Sequence, residues 1–197
     1  MWLAIAILAV VVIAIIAFAM QRRRSHALRD RFGPEYNRAV AETGSPQRAE
    51  AELARREKRY RSLDIRPLTP GARDRYAETW RAVQARFVDD PSGAVGDADR
   101  LVNDVMRDRG YPIGDTQHRF EDLSVEHSGV LDTYRRATQI AQRNARGEAS
   151  TEDLRQAMVS YRVLFGELLG PAPPNRDGTV EGRIVEPQRN NTQGVRR

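Results

Sequence analysis

Cysteine is absent from the sequence, which excludes disulfide bonds, thiolate nucleophiles and cysteine-ligated metal centres. Lysine is nearly absent as well, since Lys58 is the only lysine among 32 basic residues. An almost exclusive use of arginine is typical of a GC-rich genome, so it does not by itself indicate phosphate binding. Phosphate-binding loops of the GxGxxG or GxxxxGK[ST] type and the HExxH zinc motif do not occur either. The sequence therefore predicts no cofactor, no metal and no catalytic residue.

Neither His118 nor His127 has the sequence neighbours that a metal site or a nucleophile motif requires. His118 and Asp122 are four residues apart and would share a helix face, but two ligands are too few for zinc. His127 follows Glu126 near a predicted helix start, and we interpret it as a helix cap or a surface residue. An acidic cluster does not match the calcium-binding loop pattern and is better explained by helix capping and the helix dipole. It consists of Asp89, Asp90, Asp97 and Asp99.

Charge is missing from the first twenty residues, MWLAIAILAVVVIAIIAFAM, and so is glycine. Leu, Ile, Val and Phe occupy eleven of these positions and alanine occupies six. A helix of about 20 residues is long enough to cross the ~30 Å hydrocarbon core of a bilayer. At about −0.3 to −0.6 kcal/mol per large apolar residue, the eleven contribute roughly −3 to −7 kcal/mol to insertion. The sequence therefore predicts a transmembrane helix over 1–20, without a GxxxG face for helix pairing.

A cleaved signal peptide is the alternative interpretation of this segment, because Ala17-Phe18-Ala19 resembles a cleavage site. Signal peptides have a basic region before an apolar run of about 7–15 residues. The present run is longer and no basic residue precedes it, so an uncleaved membrane helix is favoured over a secreted form.

A basic flank over 21–32 follows the apolar run. Because positively charged flanks stay in the cytoplasm, the flank predicts a single-pass protein of the cell (inner) membrane with its amino terminus outside and its body cytoplasmic. The same charges would attract anionic lipid headgroups by about 1 kcal/mol each. The flank residues concerned are Arg22, Arg23, Arg24, Arg29 and Arg31, against a single acidic residue, Asp30.

The net charge of +5 lies at the two ends of the chain and not in its body. Residues 33–169 carry 22 basic and 23 acidic side chains. A nucleic-acid-binding protein should present a basic face on its folded body. We therefore expect membrane lipid and other proteins as partners, and no nucleic acid.

Helix signals recur along the rest of the chain, and no segment has a convincing strand pattern. A capping residue followed by proline marks three helix starts, at Ser45, Thr69 and Asp90, and Ser150 with Asp153 resembles a capping box. Aromatic residues at helical spacing around Trp80 indicate a core-facing stripe. Helices are predicted over 34–43, 46–62, 70–88, 91–109, 115–123, 125–145 and from 150 to about 169.

The predicted fold class is all-α, with one N-terminal transmembrane helix, a small helical bundle and a disordered tail. The sparse apolar residues of 33–63 predict a polar helical arm between the flank and the bundle. The bundle is assigned to 64–169, and the proline-rich, polar remainder, 170–197, to the tail. Within the bundle we expect any ligand site at the loops 63–70 and 110–115, because binding residues concentrate on loops held by a scaffold. Arg66 and Tyr111 are the surface loop residues that represent this hypothesis.

Three stretches, LDIRPLTPGARDRYAETWRAVQARFVDDP, ADRLVNDVMRDRGYP and ASTEDLRQAM, resemble an uncharacterised family of bacterial membrane-anchored or "secreted" proteins of unknown function. The resemblance covers roughly residues 30–170. It implies no activity, cofactor or catalytic residue.

The sequence leaves the biochemical activity open. The favoured hypothesis is a membrane-anchored protein whose cytoplasmic helical domain has a protein-interaction or scaffold role. A membrane-tethered enzyme or small-ligand binder is the alternative, although the lack of a catalytic motif favours a protein that is not an enzyme.

Overall fold

The structure is a computed structural model that describes residues 2–170, apart from the side chains of residues 3, 4, 6, 8–10, 14, 17, 21 and 24. The described chain is all-α and contains no strand, which confirms the all-α part of the predicted fold class. The helices are α1 (Trp2–Phe32), α2 (Pro34–Thr43), α3 (Pro46–Tyr60), α4 (Pro70–Arg86), α5 (Pro91–Asp108), α6 (Thr116–Glu126), a 3₁₀ helix (Ser128–Val130), α7 (Leu131–Ala145) and α8 (Thr151–Leu169). The predicted disordered tail lies outside the described residues from 171 onward.

The apolar segment and the basic flank form one continuous helix, α1. Its 31 residues give it a length of about 46 Å at 1.5 Å per residue. Across the residues described here, no helix meets both the length and the apolarity needed to cross a membrane. The structure thus supports the helical part of the prediction for 1–20 and gives no support to its transmembrane part.

The end of α1 packs into a small hydrophobic cluster with α2 and α3. Leu28 and Phe32 of α1 are buried there, against Tyr36 of α2 and Leu53 of α3. Gly33 adopts φ +48° between α1 and α2, a conformation that glycine reaches without strain, so the chain turns sharply after Phe32. The residues assigned from sequence to a polar arm, 33–63, therefore form a helical hairpin that packs on α1 and also contacts α6.

The main bundle is built from α4, α5, α7 and α8, with α8 packed against both α5 and α7. Its core is apolar and aromatic: the Trp80 and Phe165 rings stack at 4.8 Å, and Tyr134 and Tyr161 meet edge to face at 6.2 Å. The aromatic stripe predicted around Trp80 is thus core. The helical-bundle prediction is confirmed.

Most predicted helix starts are correct because their caps are local. The side chains of Thr69, Asp90 and Ser150 each accept a hydrogen bond from a backbone N–H in the first turn of their helix, and Ser150 with Asp153 forms a full capping box. Ser45 precedes Pro46 as predicted but makes no capping hydrogen bond.

The prediction of one long helix over 125–145 is wrong. Helix α6 extends to Glu126, His127 leaves the helical conformation at φ −120° and ψ 35°, and α7 begins only at Leu131. The 3₁₀ helix between them turns the chain so that His127 points towards the interior, which places it in the cleft described next.

Candidate ligand-binding cleft

A cleft of about 740 Å³ opens at one end of the bundle, in the size range of small-molecule sites. It lies between the loop before α4, the end of α5, the end of α6 and the last turn of α8. The residues that line it are Pro67, Leu68, Pro70, Arg73, Arg109, Glu126, His127, Gly166, Glu167, Leu168, Leu169 and Gly170.

The loop before α4 is held against the end of α5 by backbone contacts. The Arg66 N–H donates to the Arg109 carbonyl oxygen at 2.9 Å. Gly110 has φ +95°, and a Cβ there would lie 2.2 Å from the Asp64 carbonyl oxygen. Only glycine allows this close approach, so the two loops that the sequence singled out meet at this point.

His127 is the most buried ionisable side chain of the cleft, with 6% of its surface exposed. Its Nε2 lies 3.7 Å from Glu126 Oε2 and its Nδ1 lies 3.6 Å from Glu167 Oε2, both too long for hydrogen bonds. Burial lowers the pKa of His127 below its usual value, and Arg109 lowers it further, although the two glutamates oppose this. The imidazole is therefore neutral at neutral pH, and its contacts with the glutamates are not ion pairs.

Two arginines that line the cleft cap the carboxyl end of α8. Arg109 Nη1 donates to the Leu168 carbonyl oxygen at 3.2 Å, and Arg73 Nη2 donates to the Gly170 carbonyl oxygen at 3.1 Å. Cations at the carboxyl end of a helix satisfy its last carbonyl groups and the helix dipole. These contacts fix both guanidinium groups while leaving the Nε–H of each without a partner in the described residues.

Glu126 is held by two tyrosines. Its Oε2 accepts hydrogen bonds from Tyr60 at 2.5 Å and from Tyr111 at 2.9 Å, and Arg109 Nη2 lies 3.6 Å away. Burial alone would raise the pKa of Glu126, but the hydrogen bonds and nearby positive charge outweigh it and lower the pKa. Burial and the Glu126 charge both raise the pKa of Tyr111, so the phenol keeps its proton and remains a donor.

Unpartnered polar atoms concentrate in this cleft. Across the described part of the chain, six buried side-chain nitrogen or oxygen atoms have no hydrogen-bond partner, and four of them belong to the cleft. They are Arg73 Nε, Arg109 Nε and both ring nitrogens of His127. Buried polar groups are nearly always paired, so this concentration calls for an explanation such as a bound ligand or water.

The polar groups of the cleft are mainly hydrogen-bond donors. No hydroxyl group of the described residues bonds to His127. In the described residues no group of three or more potential ligands is placed to hold a metal ion. What the cleft offers is N–H donors beside an apolar wall, which suits a ligand with oxygen acceptors and an apolar part.

The two residues predicted to mark a ligand site at the loops lie beside this cleft. Arg66 is exposed and contributes its backbone N–H to the loop contact, while Tyr111, expected at the surface, is buried and supports Glu126. His127, interpreted as a helix cap or a surface residue, is the C-cap of α6, and it is buried rather than at the surface. His118 contacts Asp115 at 2.6 Å, whereas Asp122 is fully buried against Arg59.

The flank arginines divide into two groups. Arg29 lies over the Tyr36 ring at 4.9 Å, and Arg31 pairs with Glu57 at 2.9 Å, so both contact the folded body. Arg22 lies over the Phe18 ring at 4.8 Å on α1 itself, and Arg23 is exposed. The side chain of Arg24 lies outside the described residues.

The important cleft residues were missed because nothing in the sequence marks them. Arg73 lies in α4 and Arg109 directly follows α5, both in arginine-rich stretches, and Glu167 lies on the polar face of α8. The one usable signal was loop composition, which singled out the loops 63–70 and 110–115; Pro67 and Leu68 of the first loop line the cleft.

No protein-family model, no curated protein and no solved structure matches the chain. The resemblance to an uncharacterised bacterial family therefore stays a prediction and assigns no role to any residue.

Proposed function

We propose that the protein is held at a membrane by its N-terminal apolar segment and that its helical body has a protein-interaction or scaffold role there. The observation that carries the proposal is the exposure of the first part of α1. Ten large apolar side chains of this segment are between 45% and 88% exposed. They are Trp2, Ile5, Ile7, Val11, Val12, Ile13, Ile15, Ile16, Phe18 and Met20. Exposed apolar surface of this extent is typical of a membrane or protein interaction site.

The continuity of α1 supports a fixed distance between that surface and the body. The helix runs from Trp2 to Phe32 without a break, and its last turns are packed in the body through Leu28 and Phe32. A partner bound by the body would therefore be held close to the surface that takes up the apolar segment.

The proposed orientation places the amino terminus outside and the body in the cytoplasm. It rests on the positive flank. Because Arg29 and Arg31 already contact Tyr36 and Glu57, we expect the topology signal to depend mainly on 22–24.

Membrane attachment is tested by fractionating cells that make the full chain with a C-terminal tag. Two central aspartates, Val11→Asp and Ile13→Asp, add about 5–7 kcal/mol to the insertion free energy and bring the total near zero or above. Wild type should stay in the membrane pellet after an alkaline carbonate wash, and this double variant should be soluble. The matched control is Val159→Asp with Val163→Asp, two exposed valines of α8, and should behave as wild type.

Release of wild type by carbonate would indicate attachment at the surface only, and a wild-type protein found in the soluble fraction would contradict the proposal. Orientation follows from protease treatment of spheroplasts and of inverted vesicles. Protection in spheroplasts with cleavage in inverted vesicles supports a cytoplasmic body, and the reverse contradicts it. A mature form about twenty residues shorter would indicate a cleaved signal peptide.

The interaction role is tested by chemical crosslinking in intact membranes, comparing wild type with the same Val11→Asp and Ile13→Asp variant. A defined crosslinked species that needs membrane placement supports a scaffold at the membrane. Identical patterns for both proteins would contradict it.

A second candidate function is small-ligand binding by the body. The specific observation that favours it is the set of four unpartnered buried nitrogens in the cleft of Arg73, Arg109 and His127. Ligand binding by the body is compatible both with an inserted N-terminal segment and with attachment at the membrane surface only.

A further inference from the structure

We propose that the cleft binds a small carboxylic acid with an apolar body, the carboxylate facing Arg73, Arg109 and His127. This inference rests on the second candidate function and names the chemical class of its ligand.

The hydrogen-bonding capacity that the protein leaves unused defines the polar end of the ligand. Arg73 Nε and Arg109 Nε are N–H donors, and neutral His127 adds one donor and one acceptor. Three unused donors against one unused acceptor favour a ligand that mainly accepts hydrogen bonds. A carboxylate has two oxygens with about four lone-pair sites and matches arginine donors in charge as well.

The apolar wall defines the rest of the ligand. Leu68, Leu168 and Leu169 line the cleft together with Pro67 and Pro70. A volume of about 740 Å³ is larger than a bare carboxylate needs, so a ligand that fills it must bring an apolar body to this wall.

The arginines also have a structural role, but that role does not use up their donors. Each guanidinium is tied through one Nη atom to a backbone carbonyl group at the carboxyl end of α8, which holds it in place before a ligand arrives. Donors held in this way lose less freedom on binding, and this favours affinity.

The glutamates of the cleft do not cancel this preference. Glu126 Oε2 is already taken by the two tyrosine hydroxyls and faces Arg109. Glu167 is half exposed to solvent at 3.6 Å from His127 Nδ1, where water screens its charge. Glu167 also supplies an acceptor for the second ring nitrogen of His127. A bound carboxylate favours protonation of the imidazole, which then has two N–H donors. One N–H can face the ligand and the other can face Glu167.

Equilibrium dialysis with radiolabelled benzoate tests the proposal on the full chain in non-ionic detergent, with detergent alone as the blank. Two matched competitors separate the parts of the argument. Benzamide keeps the apolar ring and removes the charge, and acetate keeps the charge and removes the ring. We expect saturable binding of one benzoate per chain. Benzamide should bind at least about tenfold more weakly, because a charge-assisted hydrogen bond contributes about ten- to a hundredfold in affinity. Acetate should also bind at least about tenfold more weakly, because it brings no apolar ring to the wall of the cleft.

Variants locate the site. Arg73→Gln and His127→Phe should each weaken benzoate binding at least about tenfold. The matched control is Arg81→Gln, an exposed arginine of the same helix α4 that does not line the cleft, and it should bind as wild type. Circular dichroism of each variant checks that it is folded.

Absence of saturable benzoate and benzamide binding by folded wild type would overturn both the ligand class and the second candidate function. Saturable benzamide binding that equals or exceeds benzoate binding and is lost in Arg73→Gln would support a ligand-binding cleft. It would overturn the proposal that the ligand is a carboxylic acid. Acetate binding as strong as benzoate binding would overturn the proposal that the ligand has an apolar body. Equal benzoate binding by Arg73→Gln and Arg81→Gln would place the ligand elsewhere and overturn the proposed site.

Discussion

Replacing Arg135 by methionine should destabilise the protein more than any change at a surface arginine. Glu35 of α2 is 1% exposed, and both of its carboxylate oxygens accept hydrogen bonds from Arg135 of α7. The Nη2 to Oε2 distance is 2.9 Å, and Nη1 contacts Oε1. This pair joins the α1–α3 cluster to the main bundle, so Arg135→Met leaves a carboxylate buried without its cation.

Removing one partner of a buried ion pair costs about 3–5 kcal/mol. The Arg135 side chain is 15% exposed, so water can reach the site once the guanidinium is gone. We therefore expect a loss of about 3 kcal/mol, at the lower end of that range. With a urea m-value of about 1–3 kcal/mol/M, this shifts the unfolding midpoint down by about 1–3 M.

The assay is urea unfolding of the full chain in non-ionic detergent, followed by Trp80 fluorescence in a Trp2→Phe background. Trp80 is buried against Phe165 and reports on the main bundle. The control is Arg38→Met on α2.

Arg38 pairs at 2.9 Å with Glu42, and its Nη1 lies 3.7 Å from Asp132; all three side chains are about half exposed. Exposed i,i+4 pairs contribute about 0.3–0.5 kcal/mol, so Arg38→Met should have almost no effect. The double variant Glu35→Leu with Arg135→Met removes both charges and should recover most of the lost stability. Equal effects of Arg135→Met and Arg38→Met, or no recovery in the double variant, would refute the reasoning.

Three further predictions use single sites. Because burial lowers the folded-state pKa of His127 below the usual 6.5, the stability it contributes is complete above that pH and is lost as the pH falls towards the folded-state pKa. His127→Gln should therefore lose less stability than wild type in urea unfolding between about pH 7 and pH 5, and an equal loss would contradict the burial. Ser150→Ala should cost about 1 kcal/mol and Ser45→Ala only a few tenths, because of these two serines Ser150 alone makes a capping bond; equal thermal unfolding shifts would contradict this. Gly110→Ala should cost about 1–3 kcal/mol, more than Gly44→Ala, because a Cβ at Gly110 meets backbone while a Cβ at Gly44 meets nothing; urea unfolding of both variants checks the order.

Most helix starts were predicted from capping residues next to them in the sequence. Thr69, Asp90 and Ser150 cap their helices through bonds to residues three positions ahead, and such bonds depend on almost nothing outside that stretch. The same signal failed at Ser45, whose hydroxyl bonds to the Gln47 side chain at 2.8 Å. A capping residue is thus a preference that nearby polar groups can redirect.

The cleft could be located only in part. The loop around Leu68 was chosen for its composition, and it does line the cleft. His127 was interpreted as a helix cap or a surface residue because it follows Glu126 near a predicted helix start, and it does cap α6. Nothing in that stretch of sequence indicates that it is also buried. Its burial depends on contacts with α8 and with the end of α5, which are distant in the chain.

The sequence by itself determined the all-α class, the main helix starts and the apolar character of the first twenty residues, because these follow from side chains within a turn or two of one another. The tertiary structure alone decided that α1 packs into the body through Leu28 and Phe32. It alone decided that Arg73, Arg109 and His127 share one cleft with unpartnered nitrogens. Helices bring such residues together by packing, and packing joins positions whose separation along the chain carries no signal.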